Sequence, residues 1–483
     1  MRFQAIQRIL GAIVALSSLF ALPSLLIALA LGERNEAQAF FDSFFAAAVL
    51  GFLMWWPVRQ VRYELRLRDG FFITTGAWVL ASLVAALPFM LAAPHLSYTD
   101  AVFEAVSGLT TTGATTIVGL DGLSRSMLFY RNSLCFYGGM GIVILAVAIL
   151  PMLKVGGMQL FRAESTGPTK DSKLTPRIAE TAKALWLVYA GLNVLCTLAY
   201  WIGGMSFFDA VTHALSTIAT GGFSTHDASF AYWDSAVIDA IATGFMFLGG
   251  INVGLHYMAW RRATMAPYQG DSELKSYALI ALAVAFAIAL SLWLSGTFDT
   301  FGTAFRHALF QTVSNITTTG YTTTGFVAWP GFAPLLLIMI GFIGGCSGST
   351  SGGMKVARVV MAVRQGVREV RQLVHPKGQF LVKMGGKRVS ESIVLSVGGF
   401  ITLYMLSFLV MTLALTGTGV DIVTAFSAVA TCINNMGPGL GVVAVHFRDM
   451  HDVGVWICSF AMILGRLEVF TVLVLLTPSF WKE

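Results

Sequence analysis

Ser107-Gly-Leu-Thr-Thr-Thr-Gly113 has three related copies later in the chain. They are Ser216-Thr-Ile-Ala-Thr-Gly-Gly222, Ser314-Asn-Ile-Thr-Thr-Thr-Gly320 and the divergent Ala430-Thr-Cys-Ile-Asn-Asn-Met-Gly437. Each copy follows a short apolar segment that is too brief to cross a bilayer. Four similar Thr/Gly-rich loops in one polypeptide can form a four-sided ring of backbone carbonyls, which is the arrangement that replaces the water around a permeating cation. The repeats therefore predict an ion-conducting pore.

The flanks of the four loops are repeated as well. Asp100–Ser107 matches Asp209–Ser216, with weaker similarity in His307–Ser314 and Val423–Ala430. Each of these segments is predicted to be a helix of two turns that enters the membrane halfway. In the fourth repeat this alignment leaves one extra residue between the helix and the loop. A single loop would more simply be a re-entrant turn or a contact between helices through small residues, but four in register favour the pore.

The composition is that of a membrane protein with several spans. The chain has 483 residues, 56% of them hydrophobic and 12% charged, with a mean hydropathy of +0.74. Such values argue against a soluble enzyme. Segments close to the length of a transmembrane helix are 9–31, 37–58, 71–92, 130–153, 184–203, 235–258, 275–296, 333–363, 393–416 and 452–477. Ten spans place both termini on the same side.

The basic residues indicate which side that is. Of the 31 Lys and Arg residues, most fall in segments on the side that holds the N-terminus. This excess predicts that both termini are cytoplasmic, and it accounts for the net charge of +6 without a nucleic-acid partner. The five cysteines lie in or beside apolar segments without CxxC spacing, so we expect small buried residues and not metal ligands or disulfides.

These patterns predict an all-α membrane protein with ten transmembrane spans and four re-entrant pore half-helices, in fourfold pseudo-symmetric repeats of span, pore helix, filter loop and span. The predicted units are an N-terminal two-span hairpin at 1–69 and pore repeats at 70–160, 161–265, 266–391 and 392–483. The predicted filter residues are Thr111, Thr112, Gly113, Thr220, Gly221, Gly222, Thr318, Thr319, Gly320, Asn435, Met436 and Gly437. Either Gly221 or Gly222 could hold the glycine position of the second loop, and the flanks favour Gly222.

A glycine-rich run interrupts the second span of the third repeat. Its residues are Gly344, Gly345, Cys346, Ser347, Gly348, Ser349, Thr350, Ser351, Gly352 and Gly353. Five glycines in ten residues cost a helix about 1 kcal/mol each relative to alanine, so the span should break into an irregular loop. A broken helix at membrane depth must line a cavity, which predicts a gate. The alternative is close helix packing through small residues.

Arg466 breaks the symmetry of the fourth repeat. Gly138-Gly139, Gly249-Gly250 and Gly344-Gly345 each follow a loop, whereas the fourth repeat has Gly465-Arg466. A charge at that depth usually has a functional partner. We expect Arg466 to bind carbonyls of the glycine-rich loop or to stand in the pore as a barrier to cations. An ion pair with Glu468 is the structural alternative, although residues two apart point to different helix faces.

Other polar residues admit simpler interpretations. Asp100 and Glu104 could concentrate cations in an outer vestibule, while His213 and His307 are expected to pack and form hydrogen bonds. The segment 355–392 carries nine basic residues, among them Arg364, Arg368 and Arg371 on one helical stripe. Such a run indicates topology or contact with anionic lipid. Together with 154–183, it is also a candidate surface for docking a cytosolic gating subunit.

The chain resembles the Trk/Ktr/HKT superfamily of potassium transporters, and specifically its bacterial TrkH branch. The similarity rests on Gly113, Gly222, Gly320, Gly437, the run Asn434-Asn-Met-Gly-Pro-Gly-Leu-Gly441, the stretch after Gly344, and Arg466. It implies uptake of K⁺ across the bacterial inner membrane by a homodimer in which each subunit has its own pore. It also implies gating by a cytosolic ring of nucleotide-binding TrkA subunits, with no cofactor bound by this chain. Glycine in all four loops resembles the potassium-selective members.

Two rival functions fit the sequence less well. A secondary transporter with alternating access would show paired inverted repeats, whereas the four repeats here share one topology. An enzyme would need a metal-ligand cluster, a nucleophile elbow or a phosphate-binding loop, and the sequence has none of these patterns. Whether flux is channel-like or coupled to protons or sodium stays open at this point.

Overall fold

The computed structural model describes residues 3–60, 67–144 and 178–482. The first two of these ranges contain α1 (Phe3–Ser17), α2 (Leu22–Leu31), α3 (Arg34–Trp55), α4 (Leu67–Ala85), α5 (Leu87–Leu91), α6 (Tyr98–Leu109) and α7 (Arg125–Ile144). The third range begins with α8 (Ile178–Ile202), α9 (Phe207–Ile218), α10 (Ala236–Gly249), α11 (Val253–Arg262), α12 (Ala266–Gly270) and α13 (Ser272–Leu294). Helices α1 and α3 pack against each other as a hairpin.

The remaining helices complete the chain. They are α14 (Phe301–Ile316), α15 (Ala333–Ile343), α16 (Val356–Val374), α17 (Glu391–Thr416), α18 (Ile422–Ile433), α19 (Asp452–Arg466), α20 (Phe470–Leu476) and α21 (Pro478–Trp481). Two short strands, β1 (Lys383–Met384) and β2 (Lys387–Arg388), form an antiparallel pair in which Lys383 faces Arg388. The chain is therefore a helical protein with a single small hairpin of strands among its described residues.

Several helices are long and apolar enough to cross a membrane. Within the described ranges there are six such helices, or up to eight if each bent pair of helices counts as one span. Large apolar side chains lie exposed along them, for example Leu279 and Leu413, and a bilayer is the environment that accepts such surfaces. The predicted span 130–153 is described only as far as residue 144.

Among the described residues, three of the apolar segments are broken. The predicted interruption of the third repeat is present, since no helix covers residues 344–355 between α15 and α16. The sequence did not indicate the other two breaks, a bend of 96° between α10 and α11 and one of 117° between α19 and α20. At the second bend, Glu468 and Val469 have φ angles of 56° and 51°, a conformation that β-branched residues rarely adopt.

The four short helices before the loops are longer than two turns. Helices α6, α9 and α18 have 12 residues each and α14 has 16. Each begins after a capping side chain that accepts a hydrogen bond from the backbone N–H three residues later, and these caps are Ser97, Ser206, Thr300 and Asp421. Such caps satisfy backbone donors at the helix start.

The caps also correct the alignment of the fourth repeat. Asp421 precedes Gly437 by the same number of residues as Ser97 precedes Gly113, so no extra residue lies between helix and loop. The counterpart of Asp100–Ser107 is therefore Thr424–Thr431, and the predicted match with Val423–Ala430 was wrong by one residue. The weak sequence similarity of this flank allowed the shift.

Candidate functional site

The four Thr/Gly loops have the same backbone conformation. In each, the N–H of the middle residue donates to a carbonyl of the preceding helix at 2.8 Å, in the pairs Thr112–Ser107, Gly221–Ser216, Thr319–Ser314 and Met436–Thr431. The residue before has a positive φ of 53° to 56° in all four loops, at Thr111, Thr220, Thr318 and Asn435. The glycine after it also has a positive φ, at Gly113, Gly222, Gly320 and Gly437. The glycines selected from the sequence thus occupy equivalent positions.

The four loops close into a ring. A methyl carbon placed on each glycine would collide with a carbonyl oxygen of the next loop, at 2.5 Å for Gly113 and Gly221, 1.9 Å for Gly222 and Thr319, 2.1 Å for Gly320 and Met436, and 2.7 Å for Gly437 and Thr112. The contacts run from the first loop to the second, third and fourth and return to the first. Because carbon and oxygen cannot approach so closely, only glycine lets the four backbones surround one axis.

One face of this ring opens into a cavity of about 550 Å³. All four glycines line it, together with residues that follow them, such as Ser224 and Thr322. Irregular backbone is tolerated at membrane depth where it lines a cavity of this kind. Water and ions can therefore reach the carbonyl ring from this side.

The opposite face of the ring is covered by the glycine-rich loop. The Gly352 N–H donates to Thr318 Oγ1 at 2.7 Å. Thr350 Oγ1 lies 2.9 Å from the Ile218 carbonyl oxygen and 3.3 Å from Thr220 Oγ1. The loop thus contacts the second and third Thr/Gly loops at the residues that precede their glycines, which is the side away from the cavity.

Arg466 joins this loop to the rest of the molecule. Its side chain is buried, with Nη1 donating to the Thr350 carbonyl at 2.9 Å and Nη2 to the Gly138 carbonyl at 3.2 Å. The expected contact with a carbonyl of the glycine-rich loop is present. Glu468 pairs instead with Arg358, at 2.8 Å, so the alternative of an ion pair between Arg466 and Glu468 is not what the structure shows.

Comparison with known proteins shows the family of the chain. The family model described as TrkH, cation transport protein, matches residues 36–482. The chain belongs to the TrkH family. Over the full length of both chains it is 49% identical to the Trk system potassium uptake protein TrkH of Salmonella typhimurium and 48% identical to that of Escherichia coli. The crystal structure of the potassium transporter TrkH from Vibrio parahaemolyticus superposes with a TM-score of 0.92, at 46% identity and full coverage of both chains.

The glycine-rich loop of this TrkH-family chain has an anchor that the sequence did not reveal. Glu273 Oε1, at the start of α13, accepts hydrogen bonds from the N–H of Ser347 at 2.7 Å and of Ala357 at 3.0 Å. The carboxylate therefore holds the loop and the first turn of α16 together, where a negative charge is favoured by the helix dipole. Lys355 Nζ, in turn, donates to the Ser351 carbonyl.

The asparagines of the fourth loop are ties to neighbouring elements. Asn435 Nδ2 donates to Thr112 Oγ1 of the first loop at 3.0 Å and to the Met462 carbonyl at 2.9 Å. The Tyr404 hydroxyl lies 2.6 Å from Asn434 Oδ1. The divergence of this loop in the TrkH-family chain thus coincides with extra hydrogen bonds, because an amide side chain reaches further than a threonine hydroxyl.

Glu104 does not face the cavity as an open charge. It is buried and pairs with Arg131 Nε at 2.7 Å. The same guanidinium donates to the Ser224 carbonyl at 3.2 Å and to Thr115 Oγ1 at 3.1 Å, so it ties the first and second loops together. The expectation that Glu104 concentrates cations is therefore wrong. Asp100 accepts a hydrogen bond from Ser97 Oγ at 2.7 Å, at the start of α6.

The two histidines have the hydrogen bonds expected of packed residues. His213 Nε2 lies 2.9 Å from Ser224 Oγ, and His307 Nδ1 lies 2.9 Å from Thr323 Oγ1. The five cysteines are buried and unpaired. Within the described ranges, no three His, Cys, Asp or Glu side chains come together as a possible metal site.

The predicted docking surfaces are only partly described. Arg364, Arg368 and Arg371 all lie on α16, and Arg368 pairs with Glu369 at 3.0 Å. The segment 154–183 lies outside the described residues as far as position 177.

Proposed function

We propose that this chain conducts K⁺ into the bacterial cell across the inner membrane. The supporting observation is the closed ring in which each glycine, Gly113, Gly222, Gly320 and Gly437, backs onto a carbonyl of the next loop. Carbonyl oxygens in such a ring replace the hydration shell of a monovalent cation without any formal charge. The relatives at 48% to 49% identity are named as potassium uptake proteins, and this favours K⁺ as the cation.

The filter is made by three residues of each loop. These are Thr111, Thr112 and Gly113; Thr220, Gly221 and Gly222; Thr318, Thr319 and Gly320; and Asn435, Met436 and Gly437. In each loop the first and third residues have a positive φ and the middle residue does not. This alternation turns successive carbonyls toward one axis. The C-terminal ends of α6, α9, α14 and α18 lead into these loops, and their partial negative charge favours a cation.

The proposed arrangement in the membrane has ten spans. The six long helices and two bent pairs supply eight, while α7 and the interrupted pair of α15 and α16 supply the other two. The four short helices enter from the outer face and return to it as loops. The distribution of Lys and Arg favours cytoplasmic positions for both termini, and the hairpin at 1–69 precedes repeats at 70–160, 161–265, 266–391 and 392–483 in this arrangement.

Residues 344–353 form the gate in this proposal, and Arg466 holds it shut. The loop covers the inner face of the ring, while Arg466 places a fixed positive charge beside it. A cation passing inward must displace the loop and pass this charge, which is costly in a low-dielectric region. Opening therefore requires the loop to move away from the ring and to break the hydrogen bond between Arg466 and the Thr350 carbonyl.

The force that opens the gate comes from a cytosolic partner. Helix α16 continues from the loop and carries Arg364, Arg368 and Arg371, so a ring of nucleotide-binding subunits docked there could pull on the gate directly. The nucleotide would bind to that partner, and K⁺ would be cargo and not a cofactor of this chain. The chain itself would act as a homodimer with one pore in each subunit.

Two measurements test the proposal. Cells that lack other potassium uptake should grow at low external K⁺ when they express this chain with its gating subunits, and a Gly222→Ala variant of the filter should not support growth. Purified protein in liposomes should pass K⁺ faster than Na⁺. Equal flux of the two ions, or flux that only an organic solute drives, would contradict a potassium pathway.

A further inference from the structure

The first repeat has a buried arginine at a position where the other three repeats have uncharged residues. Arg131 lies on α7, seven residues before Gly138, the first glycine of the repeated pair. Counted back in the same way, the other repeats have Ala242, Leu337 and Cys458. All four side chains are buried. Burying a charge costs free energy that an apolar residue at the same place would not, so packing alone does not account for the arginine.

Arg131 contacts the chain just after two of the four Thr/Gly loops. Its Nη2 donates to Thr115 Oγ1, two residues after the glycine of the first loop, at 3.1 Å. Its Nη1 donates to the Ser224 carbonyl, two residues after the glycine of the second loop, at 3.2 Å. The guanidinium carbon lies 4.2 Å from the centre of the Phe223 ring. One guanidinium thus joins the first and second loops on the side of the cavity.

Glu104 of α6 holds this guanidinium in place. Its Oε1 accepts a hydrogen bond from Arg131 Nε at 2.7 Å. Both of its carboxylate oxygens lie 3.0 Å from Thr115 Oγ1, and Oε2 accepts from the Thr116 N–H at 3.1 Å. Because the donors of a guanidinium point in fixed directions, the ion pair sets the positions of Thr115 and Ser224 relative to each other.

The four repeats differ at the position of Glu104. The residues nine positions before each loop glycine are all buried, and they are Glu104, His213, Gln311 and Ala428. His213 Nε2 lies 2.9 Å from Ser224 Oγ, so the second repeat also has a polar contact to the residue two after its glycine. Gln311 Nε2 reaches the Thr324 carbonyl only at 3.5 Å, and Ala428 has no polar side-chain atom. The polar support of the ring is therefore strongest between the first and second loops.

We propose that Glu104 and Arg131 are positioning residues that hold the first and second loops at the spacing at which the carbonyl ring prefers K⁺ to Na⁺. This role rests on the proposed function. A methyl carbon on Gly113 would lie 2.5 Å from the Gly221 carbonyl oxygen, and the ion pair fixes this same junction from the side of the cavity. A ring that could contract would also replace the hydration shell of the smaller Na⁺. Both side chains act through the backbone of the loops.

The first test compares Arg131→Lys with the wild type, as purified full-length chains in liposomes. Lysine keeps the charge, but its single nitrogen cannot reach all three acceptors of the guanidinium. We expect the ratio of K⁺ to Na⁺ flux to fall by about tenfold or more, the factor that corresponds to the loss of one charge-assisted hydrogen bond. The matched control is Asp239→Asn, which breaks the ion pair of Asp239 with Arg306, at 2.8 Å, between α10 and α14. Its flux ratio should equal that of the wild type.

Thr115→Val is a milder variant that leaves the ion pair in place. It removes the hydroxyl that contacts both Glu104 and Arg131, so it should lower the flux ratio by less than Arg131→Lys does. Thr116→Val is its control, because the neighbouring Thr116 hydroxyl is buried and has no hydrogen-bond partner among the described residues. This control should keep the flux ratio of the wild type.

Thermal unfolding in detergent measures the ion preference without any flux. An ion that binds only the folded protein raises its Tm, so the wild type should melt at a higher temperature in KCl than in NaCl of the same concentration. Arg131→Lys should lose most of this difference. Asp239→Asn should melt at a lower temperature in both salts and keep the difference, which is what a purely structural residue would do.

The two assays together decide the role of the ion pair. If Arg131→Lys and Thr115→Val match their controls in flux ratio and in the difference in Tm between the salts, the positioning role is overturned and the potassium pathway stands. A wild type without any preference for K⁺ in either assay would overturn the proposed function, and the positioning role with it.

Discussion

The Arg466 guanidinium donates a hydrogen bond to the Thr350 carbonyl at 2.9 Å, and this contact joins the fourth repeat to the interrupted helix of the third. The same side chain reaches the Gly138 carbonyl of the first repeat at 3.2 Å. Arg466 is only 4% exposed, and both of these acceptors are neutral carbonyls. A buried charge with such partners is costly, so its position beside the loop points to a role in closure.

Replacing Arg466 with alanine should raise the flux of K⁺ through the chain without its gating subunits. The variant loses two charge-assisted hydrogen bonds, each contributing about 1.5–3 kcal/mol, and it removes the fixed charge next to the pathway. We expect at least about a tenfold increase, which corresponds to about 1.4 kcal/mol, measured as ⁸⁶Rb⁺ uptake into liposomes. Arg466→Lys keeps the charge but not the hydrogen-bond geometry, so its flux should lie between those of the wild type and of Arg466→Ala. Unchanged flux from a well-folded alanine variant would count against the barrier.

The contact between Thr318 and Gly352 should also stabilise the closed loop. Thr318→Val keeps the shape of the side chain but removes the acceptor of the Gly352 N–H, which lies at 2.7 Å. An unsatisfied buried donor costs about 1–3 kcal/mol, so the closed state should become about 5- to 150-fold less favoured. Basal flux in liposomes should rise accordingly.

Thr111→Val is the matched control for this prediction. Thr111 has the equivalent φ angle in the first loop, but its hydroxyl has no hydrogen-bond partner among the described residues. Any effect of losing a hydroxyl next to the filter is common to both variants, and only Thr318→Val loosens the loop. If the two variants show the same basal flux, the hydrogen bond to Gly352 has no part in gating.

The sequence predicted those parts of the site that depend on local repetition. The glycines of the four loops and the interruption after Gly344 could be identified because the conformations they adopt need glycine. Arg466 could be identified because it stands where the other repeats have glycine, and because a charge at that depth usually has a functional partner. Contacts made by ordinary residues over long distances were missed. Glu104 pairs with Arg131, 27 positions away, and Glu273 binds Ser347, 74 positions away.

The bends at 250–252 and 467–469 show why the remaining features could not be predicted. Neither segment has the density of glycine that marked the third repeat. The first bend is held by tertiary hydrogen bonds, such as that between the Cys346 N–H and the Gly250 carbonyl. Residues from another repeat supply these bonds, so periodicity and local composition contain no signal for them.

The glycines of the ring should differ in how well they tolerate a methyl group. On Gly222 the methyl carbon would lie 1.9 Å from the Thr319 oxygen, whereas on Gly437 it would lie 2.7 Å from the Thr112 oxygen. Both require the backbone to move, but the second requires less. We expect Gly222→Ala to lower the ratio of K⁺ to Na⁺ flux further than Gly437→Ala does. We also expect Gly222→Ala to lower the free energy of unfolding by about 1–3 kcal/mol, as at other overpacked sites, and Gly437→Ala to lower it by less.

The comparison needs both variants in the same assay. Flux of each ion is measured in liposomes, and thermal unfolding in detergent gives the order of stability. If Gly437→Ala lost K⁺ selectivity more completely than Gly222→Ala, the distance from the added methyl group to the neighbouring carbonyl oxygen would not determine which glycines accept a substitution.

Asp121 should give the protein a contribution to stability that depends on pH and is lost in strong acid. Its Oδ1 contacts His226 Nδ1, which connects the segments that follow the first and second loops. The hydrogen bond to His226 lowers the pKa of the Asp121 carboxyl, and a backbone hydrogen bond from Asp227 adds to the effect. A carboxyl whose pKa is lowered by folding stabilises the folded state above its unfolded pKa, near 3.9. It loses that contribution as the pH falls through the lower, folded pKa.

Asp121→Asn should therefore lower the melting temperature at pH 5, and the difference from the wild type should shrink as the pH falls below about 3.9 and through the lower, folded pKa. The Asp121 side chain is 52% exposed, so the contribution is about 0.5 kcal/mol. This corresponds to a difference in Tm of about 1 °C for a chain of this size. The difference should shrink at high salt, because exposed charges are screened. Asp449→Asn changes an exposed carboxylate elsewhere and should show no such convergence. A difference in Tm between the wild type and Asp121→Asn that stayed constant from pH 5 to pH 3 would mean that the contact with His226 does not depend on the charge of Asp121.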